Sequence, residues 1–229
     1  MGTIDQYTNL LFDLDNTLLD FSKAEDYAIR KLALDYGITL DDEKVQTYVL
    51  INEKYWHLLD SGKMTKSDIL RKRFEEFFRL FDLDVDGQKC DDTYRNYLTD
   101  EVFLVDGCQE VLDKLKENHS LYIVSNGVKV TQDVRLEKAG LTHYFKKIFL
   151  SEVIGYNKPD PRYFDYVKAN IDDFSSENTL LIGDNLFSDI NGAIQANIKC
   201  VYFNFHHQPN NTCYKANYEI GNLKELFSI

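Results

Sequence analysis

In the stretch LLFDLDNTLLD, Leu10–Asp20, two aspartates stand one residue apart directly after an apolar run. Like charges such as Asp13 and Asp15 at the end of a buried strand cost free energy unless a cation or a bound substrate uses them. Three later apolar runs end in comparable chemistry. SNG places the Ser125 hydroxyl and the turn amides of Asn126 and Gly127 after the second, and KPDP places Lys158 after the third. GDNLFSD places Asp184 after the fourth, with Asp189 five residues on. The acids suit Mg²⁺, a hard cation that takes oxygen ligands. No histidine or thiol is placed to favour zinc. Ser125, the backbone N–H groups of Asn126 and Gly127, and the Lys158 ammonium suit a phosphoryl group. A carboxylate beside such an anion can attack phosphorus, with metal and lysine offsetting the charge repulsion.

The elements that must position these residues follow from the pattern. Short apolar runs at Thr8–Asp13, Ser120–Gly127, Lys146–Glu152, Thr179–Asn185 and Lys199–Asn204 predict strands. Gly107–Glu117, Val130–Ala139, Pro161–Asn170 and Asp189–Ala196 are of helical length between them. Such alternation predicts an α/β fold, a doubly wound, Rossmann-like parallel sheet whose ligands sit beyond the carboxyl ends of the strands. Between the first strand and the rest lies a stretch rich in charge, Tyr and Phe. Its helical spacing predicts four amphipathic helices with Ser22, Asp41, and Thr65 or Ser67 as N-caps. The domains expected are a core of 1–18 with 101–229 and an inserted α-helical cap of 19–100.

FDLDNTL, SNG, KPDP and GDNLFSD resemble, in order and spacing, the four motifs of the haloacid dehalogenase superfamily, and the helical insertion resembles that superfamily's cap. The resemblance implies that Asp13 is the nucleophile and a metal ligand. Asp15 would be the general acid/base, its backbone carbonyl also on the metal. Ser125 would hold the phosphoryl group and Lys158 would neutralise it. Asp184 would bind Mg²⁺, and Asp189 would support the metal site or orient Lys158. Asp15 also discriminates, because the dehalogenases attack carbon and typically lack this acid and the metal. Phosphomutases usually carry Gly where Asn16 stands. FDLDNTLLDF with the cap segment NEKYWHLLDSGKMTKSDILRKRF resembles the bacterial pyrimidine 5'-nucleotidases. It implies a nucleoside monophosphate as the small phosphorylated partner; a sugar phosphate, a phosphomutase substrate or a non-catalytic binding role is the alternative. On this reading the cap opens for substrate and closes to exclude bulk water.

The 229 residues allow a core domain plus a smaller one, and 44% hydrophobic with 28% charged residues is a globular composition. A net charge of -12 repels polyanions, so neither a nucleic-acid polymer nor a membrane is an expected partner. Cys90, Cys108, Cys200 and Cys213 form no C-x-x-C pair and are expected to be free thiols. With no apolar leader, the protein is expected to be cytoplasmic, as a monomer or homodimer. Gly2 invites N-myristoylation, but Gln6 stands where Ser or Thr is wanted. DLDVDG, Asp82–Gly87, begins like a Ca²⁺ loop, yet its twelfth position is Thr93 and it reads as an inter-helix turn. The Asn210-Asn211-Thr212 acceptor is read as empty, and His206-His207 as a surface loop after the last strand. Tyr27, Tyr48, Tyr55, Trp56, Phe74, Phe77 and Phe78 are mostly cap core, with one or two expected to face substrate. Phe21, in the connection to the cap, is a further candidate for substrate contact.

Overall fold

In the computed structural model, which describes residues 3–229, the apolar runs pair as one sheet. Gly2 lies outside the described residues. The strands are β1 (Asn9–Phe12), β2 (Ser120–Ser125), β3 (Phe145–Leu150), β4 (Thr179–Gly183), β5 (Lys199–Phe203) and β6 (Tyr218–Ile220). The helices are α1 (Phe21–Asp35), α2 (Asp42–Asp60), α3 (Lys66–Arg79), α4 (Gly87–Asp100), α5 (Cys108–Leu115), α6 (Lys129–Lys138), α7 (Ser151–Ile154), α8 (Pro161–Ala169) and α9 (Gly192–Gln195). Contacts divide the chain into two units, one ending at Asp20 and resuming over Phe103–Ile229, the other Phe21–Val102.

The sheet order is β3-β2-β1-β4-β5-β6, and every pairing is parallel. Parallel strands bury both faces, and β1 and β4 are buried at every residue. Leu11, Val124, Leu181 and Cys200 share one face and pack with Tyr163, Phe164 and Val167 of α8 and Ala193 of α9. Leu10, Phe12, Ile123, Ile182 and Val201 alternate with them and are buried too. The chain winds outward from β1 to β3, then returns to start β4 on the other side of β1. This reversal makes the carboxyl ends of β1 and β4 the natural place for a ligand.

A sixth strand, Tyr218–Ile220, follows the last one that the apolar runs predict, so His206 and His207 lie in a connection between strands and not after the last of them. The helix expected over Asp189–Ala196 begins earlier, as a π-helical turn at Leu186–Asn191 that runs into α9. Ser22 lies inside α1 and does not precede it. All four cysteines are free, three of them buried and Cys213 exposed. Among the described residues no helix is long and apolar enough to cross a membrane.

In the helical unit Asp41 and Thr65 cap α2 and α3, accepting from Lys44 N at 2.9 Å and Asp68 N at 3.2 Å. Ser67 is inside α3. Asp86, within the acidic turn, caps α4 by accepting from Gln88 N and Lys89 N. Tyr48 packs against Phe74, Phe77 and Tyr94. Tyr55 and Phe78 are buried as well, while Phe21, Tyr27 and Trp56 are half-buried. One buried polar chain takes a residue from each helix. Arg73 donates to Asn52 Oδ1 and to Asp91 Oδ1, both at 2.6 Å, and Asn52 Nδ2 donates to Glu25 Oε1 at 2.7 Å. Removing one partner of a buried ion pair leaves an uncompensated charge. Asp91→Ala should therefore cost about 3–5 kcal/mol. Urea unfolding read by Trp56, the chain's single tryptophan and part of α2, measures it. A cost below about 1 kcal/mol would contradict this account.

Candidate active site

β1 delivers Asp13 to the carboxyl end of the sheet. Phe12 is level with Ile123 and Ile182, and the Asp13 N–H continues the ladder to Ile182 O at 2.9 Å. The chain then turns, with Leu18 N and Leu19 N both reaching Leu14 O, at 3.0 and 2.9 Å. Asn16 sits at φ +57, a left-handed conformation that Gly adopts freely and Asn better than most residues.

Lys158 comes to the same end from the segment before α8. Its ammonium donates to Asp13 Oδ1 at 2.7 Å, to Asp189 Oδ1 at 2.5 Å and to Val124 O at 2.8 Å. A lysine has three N–H donors, so all are committed. Asn126 clamps the lysine's own peptide group: its Nδ2 donates to Lys158 O at 2.9 Å, and its Oδ1 accepts from Lys158 N at 2.8 Å. The other Asp189 oxygen accepts from Asn185 N at 3.1 Å. Gly183 makes room for this, since a Cβ there would lie 2.5 Å from Asp189 Cγ.

Asp13, Asp184 and Asp189 each offer a carboxylate oxygen within 4.8 Å of the others. Three carboxylates against one ammonium would, with all of them ionised, leave two negative charges in a largely buried group. A divalent cation would balance them, and an all-oxygen donor set fits Mg²⁺. Both Asp189 oxygens are engaged, so Asp13 and Asp184 are the acids of this group that could hold such an ion. Burial pushes the Asp13 carboxyl up to about 7, against the pull of Lys158 and with added repulsion from Asp189 and Asp15. Burial likewise raises Asp184 well above the usual carboxylate range, reinforced by Asp13 and Asp189. For Lys158, burial opposes the charge, but Asp13 and Asp189 outweigh it and raise the pKa.

Ser125 ends β2, and its Oγ accepts from Gly127 N at 3.0 Å and from Gln132 Nε2 at 3.1 Å. The Gly127 amide, expected on a phosphoryl group, is thus turned toward Ser125, and the Asn126 side chain is used on Lys158. The Asp15 carboxylate is not part of the acid cluster. Its Oδ2 accepts from Gln132 Nε2 at 2.6 Å, and its Oδ1 from the Arg135 guanidinium. Gln132 and Arg135 are buried on α6 and are absent from the sequence-based set. Their signal is two long polar residues, i and i+3, on the inward face of the helix after SNG.

The sequence profile of the haloacid dehalogenase-like hydrolases matches residues 10–203. The chain belongs to this family. Among similar family members, HAD-hydrolase YfnB of Bacillus subtilis is 39% identical over 98% of this chain and 95% of its own length. Its crystal structure, bound to magnesium, matches with a TM-score of 0.92 over 96% of this chain and 97% of that one. Pyrimidine 5'-nucleotidase PynA of Streptococcus pneumoniae is 36% identical over 96% of this chain and 93% of its own. Pyrimidine 5'-nucleotidase YjjG of Escherichia coli is 29% identical over 95% of each.

The raised Asp13 carboxyl would make the binding of a metal there pH-dependent. Between its ordinary 3.8 and about 7, the folded metal-free protein holds a proton that the unfolded chain releases. Its contribution to stability is therefore complete below 3.8 and lost as pH rises through about 7. A cation needs the ionised form and restores what is lost. The rise in Tm on adding Mg²⁺ should be small near about pH 5.5, larger near about pH 8, and reduced by Asp184→Asn. Thermal unfolding with Mg²⁺ and with chelator checks this; equal increments at both pH values would contradict it.

Proposed function

We propose that the protein is a Mg²⁺-dependent phosphomonoester hydrolase that works through an aspartyl phosphate on Asp13, with pyrimidine nucleoside 5'-monophosphates as substrates. The observation that carries the chemistry is the buried Asp13 carboxylate, bonded to Lys158 beside Asp184, with a second acid, Asp15, held separately by α6. A halide leaves without a proton, whereas an alkoxide needs one, and Asp15 is the group able to supply it. The choice of a pyrimidine nucleotide rests on the resemblance to PynA and YjjG over nearly the full length of both.

In this reading Lys158 holds Asp13 by Oδ1 and presents its carboxylate to phosphorus. Ser125 accepts two hydrogen bonds through Oγ, so its own O–H is left to donate to a phosphoryl oxygen. An Asp13 oxygen forms a bond to phosphorus as the ester P–O bond breaks, and Asp15, which enters this step protonated, gives its proton to the departing 5'-oxygen and becomes a carboxylate. Asp15 then takes a proton from water, whose oxygen attacks phosphorus; inorganic phosphate leaves and the Asp13 carboxylate is restored. Asp13, Asp184 and the Asp15 carbonyl would hold Mg²⁺, which when bound supplies positive charge to the phosphoryl oxygens and offsets their repulsion by the carboxylates.

Phosphate release from pyrimidine and purine nucleoside monophosphates and sugar phosphates, each with Mg²⁺ and with chelator, tests the proposal. Metal-dependent release should be strongest from UMP, dUMP or dTMP. Preference for a sugar phosphate would keep the chemistry and discard the nucleotide. Asp13→Asn should abolish turnover while the fold is kept, and Asp15→Asn should lower kcat by about 10²- to 10⁴-fold. Full activity in Asp13→Asn would overturn the mechanism.

A further inference from the structure

The geometry points to Gln132 and Arg135 as positioning residues that set Asp15 and the Ser125 hydroxyl together from one helix. The inference rests on reading Asp15 as the proton donor to the leaving group. An arginine can only donate, so the Gln132 atom that Arg135 Nη1 meets at 3.0 Å must be its Oε1. That fixes the amide's orientation and leaves Nε2, with its two hydrogens, for the other side. One goes to Asp15 Oδ2 at 2.6 Å and one to Ser125 Oγ at 3.1 Å. Arg135 Nη1 also donates to Asp15 Oδ1, so each Asp15 oxygen is held by a different α6 residue.

Two further observations show that the arrangement is built into the fold. Gln132 and Arg135 are each only 1% exposed, and a buried guanidinium is costly without a carboxylate such as that of Asp15. Gly127 leaves the space that the amide fills, because a Cβ there would lie 2.1 Å from Gln132 Nε2. With the Gly127 N–H and Gln132 both donating to Ser125 Oγ, the remaining Ser125 O–H is directed away from α6. A single side chain thus sets the phosphoryl anchor and the acid in register. Neither residue touches the reacting atoms; both act through Asp15 and Ser125.

The test compares leaving groups in a single turnover of the full chain with Mg²⁺. Uridine from UMP needs a proton as it departs; p-nitrophenolate from p-nitrophenyl phosphate does not. Arg135→Met should slow uridine release about 10- to 100-fold. It should change p-nitrophenolate release less than about threefold, with KM little altered. Arg135→Lys should recover part of the loss. Gln132→Met should show the same split and add a smaller loss, common to both substrates, from Ser125. It also carries the comparison should Arg135→Met fail to fold. Equal losses on the two substrates, or a loss confined to KM, would overturn the inference. A wild-type protein that releases neither leaving group would instead refute the phosphatase reading. Crystal structures of the wild type and Gln132→Met then decide the inference alone. A displaced Asp15 carboxylate supports it, and an unmoved one overturns it.

Discussion

A lysine ammonium buried at the end of a parallel sheet, with every donor committed, is the constraint on which the rest of this site depends. Lys158 can remain charged there only because Asp13 and Asp189 face it, and those acids can be buried only because Lys158 is present. The balance is incomplete, since Asp184 adds a third carboxylate. Ionising all three acids would leave an excess negative charge, so their ionised forms are favoured beside a divalent cation, where an anionic ester would have to approach. The strand order places these groups at the β1/β4 reversal, where open parallel sheets bind their ligands.

Two glycines hold the two halves of the site in position by having no side chain. Gly183 lets Asp189 lie against β4, and Gly127 lets Gln132 reach Ser125 and Asp15. The acids consequently fall into separate environments. Asp13 and Asp184 belong with Lys158, where burial favours their neutral forms. Asp15 belongs with α6, bonded to a guanidinium and an amide. Two aspartates separated by one residue in the chain thereby sit in different environments, as the proposed roles of nucleophile and proton carrier require.

Much of the α/β core was legible because buried parallel strands are continuous apolar runs. LLF, SLYIV, TLLIG and CVYF stand out in a chain whose helices are heavily charged. β6 was not, since three residues at a sheet edge carry little pattern. The acids and Lys158 were visible as polar residues directly after apolar runs, and the motif resemblance agrees with the family match over residues 10–203. Gln132 and Arg135 escaped because their partners are distant in sequence, and a polar residue on a helix reads as solvent-facing until the fold places it. The Asn126 side chain was likewise hidden behind its backbone, as its bond to the Lys158 peptide spans 32 residues. In the helical unit the Glu25–Asn52–Arg73–Asp91 chain had no local signature, for each helix contributes one member.

The central claim is that the Asp13 carboxylate becomes covalently phosphorylated. The most direct measurement is acid quenching during a single turnover with UMP and Mg²⁺, followed by borohydride reduction and peptide mass spectrometry. An acyl phosphate is reduced to the alcohol, so the account predicts homoserine at position 13 and unmodified aspartate at positions 15, 184 and 189. Phosphate release in the same turnover, with aspartate intact at position 13 throughout, would contradict it.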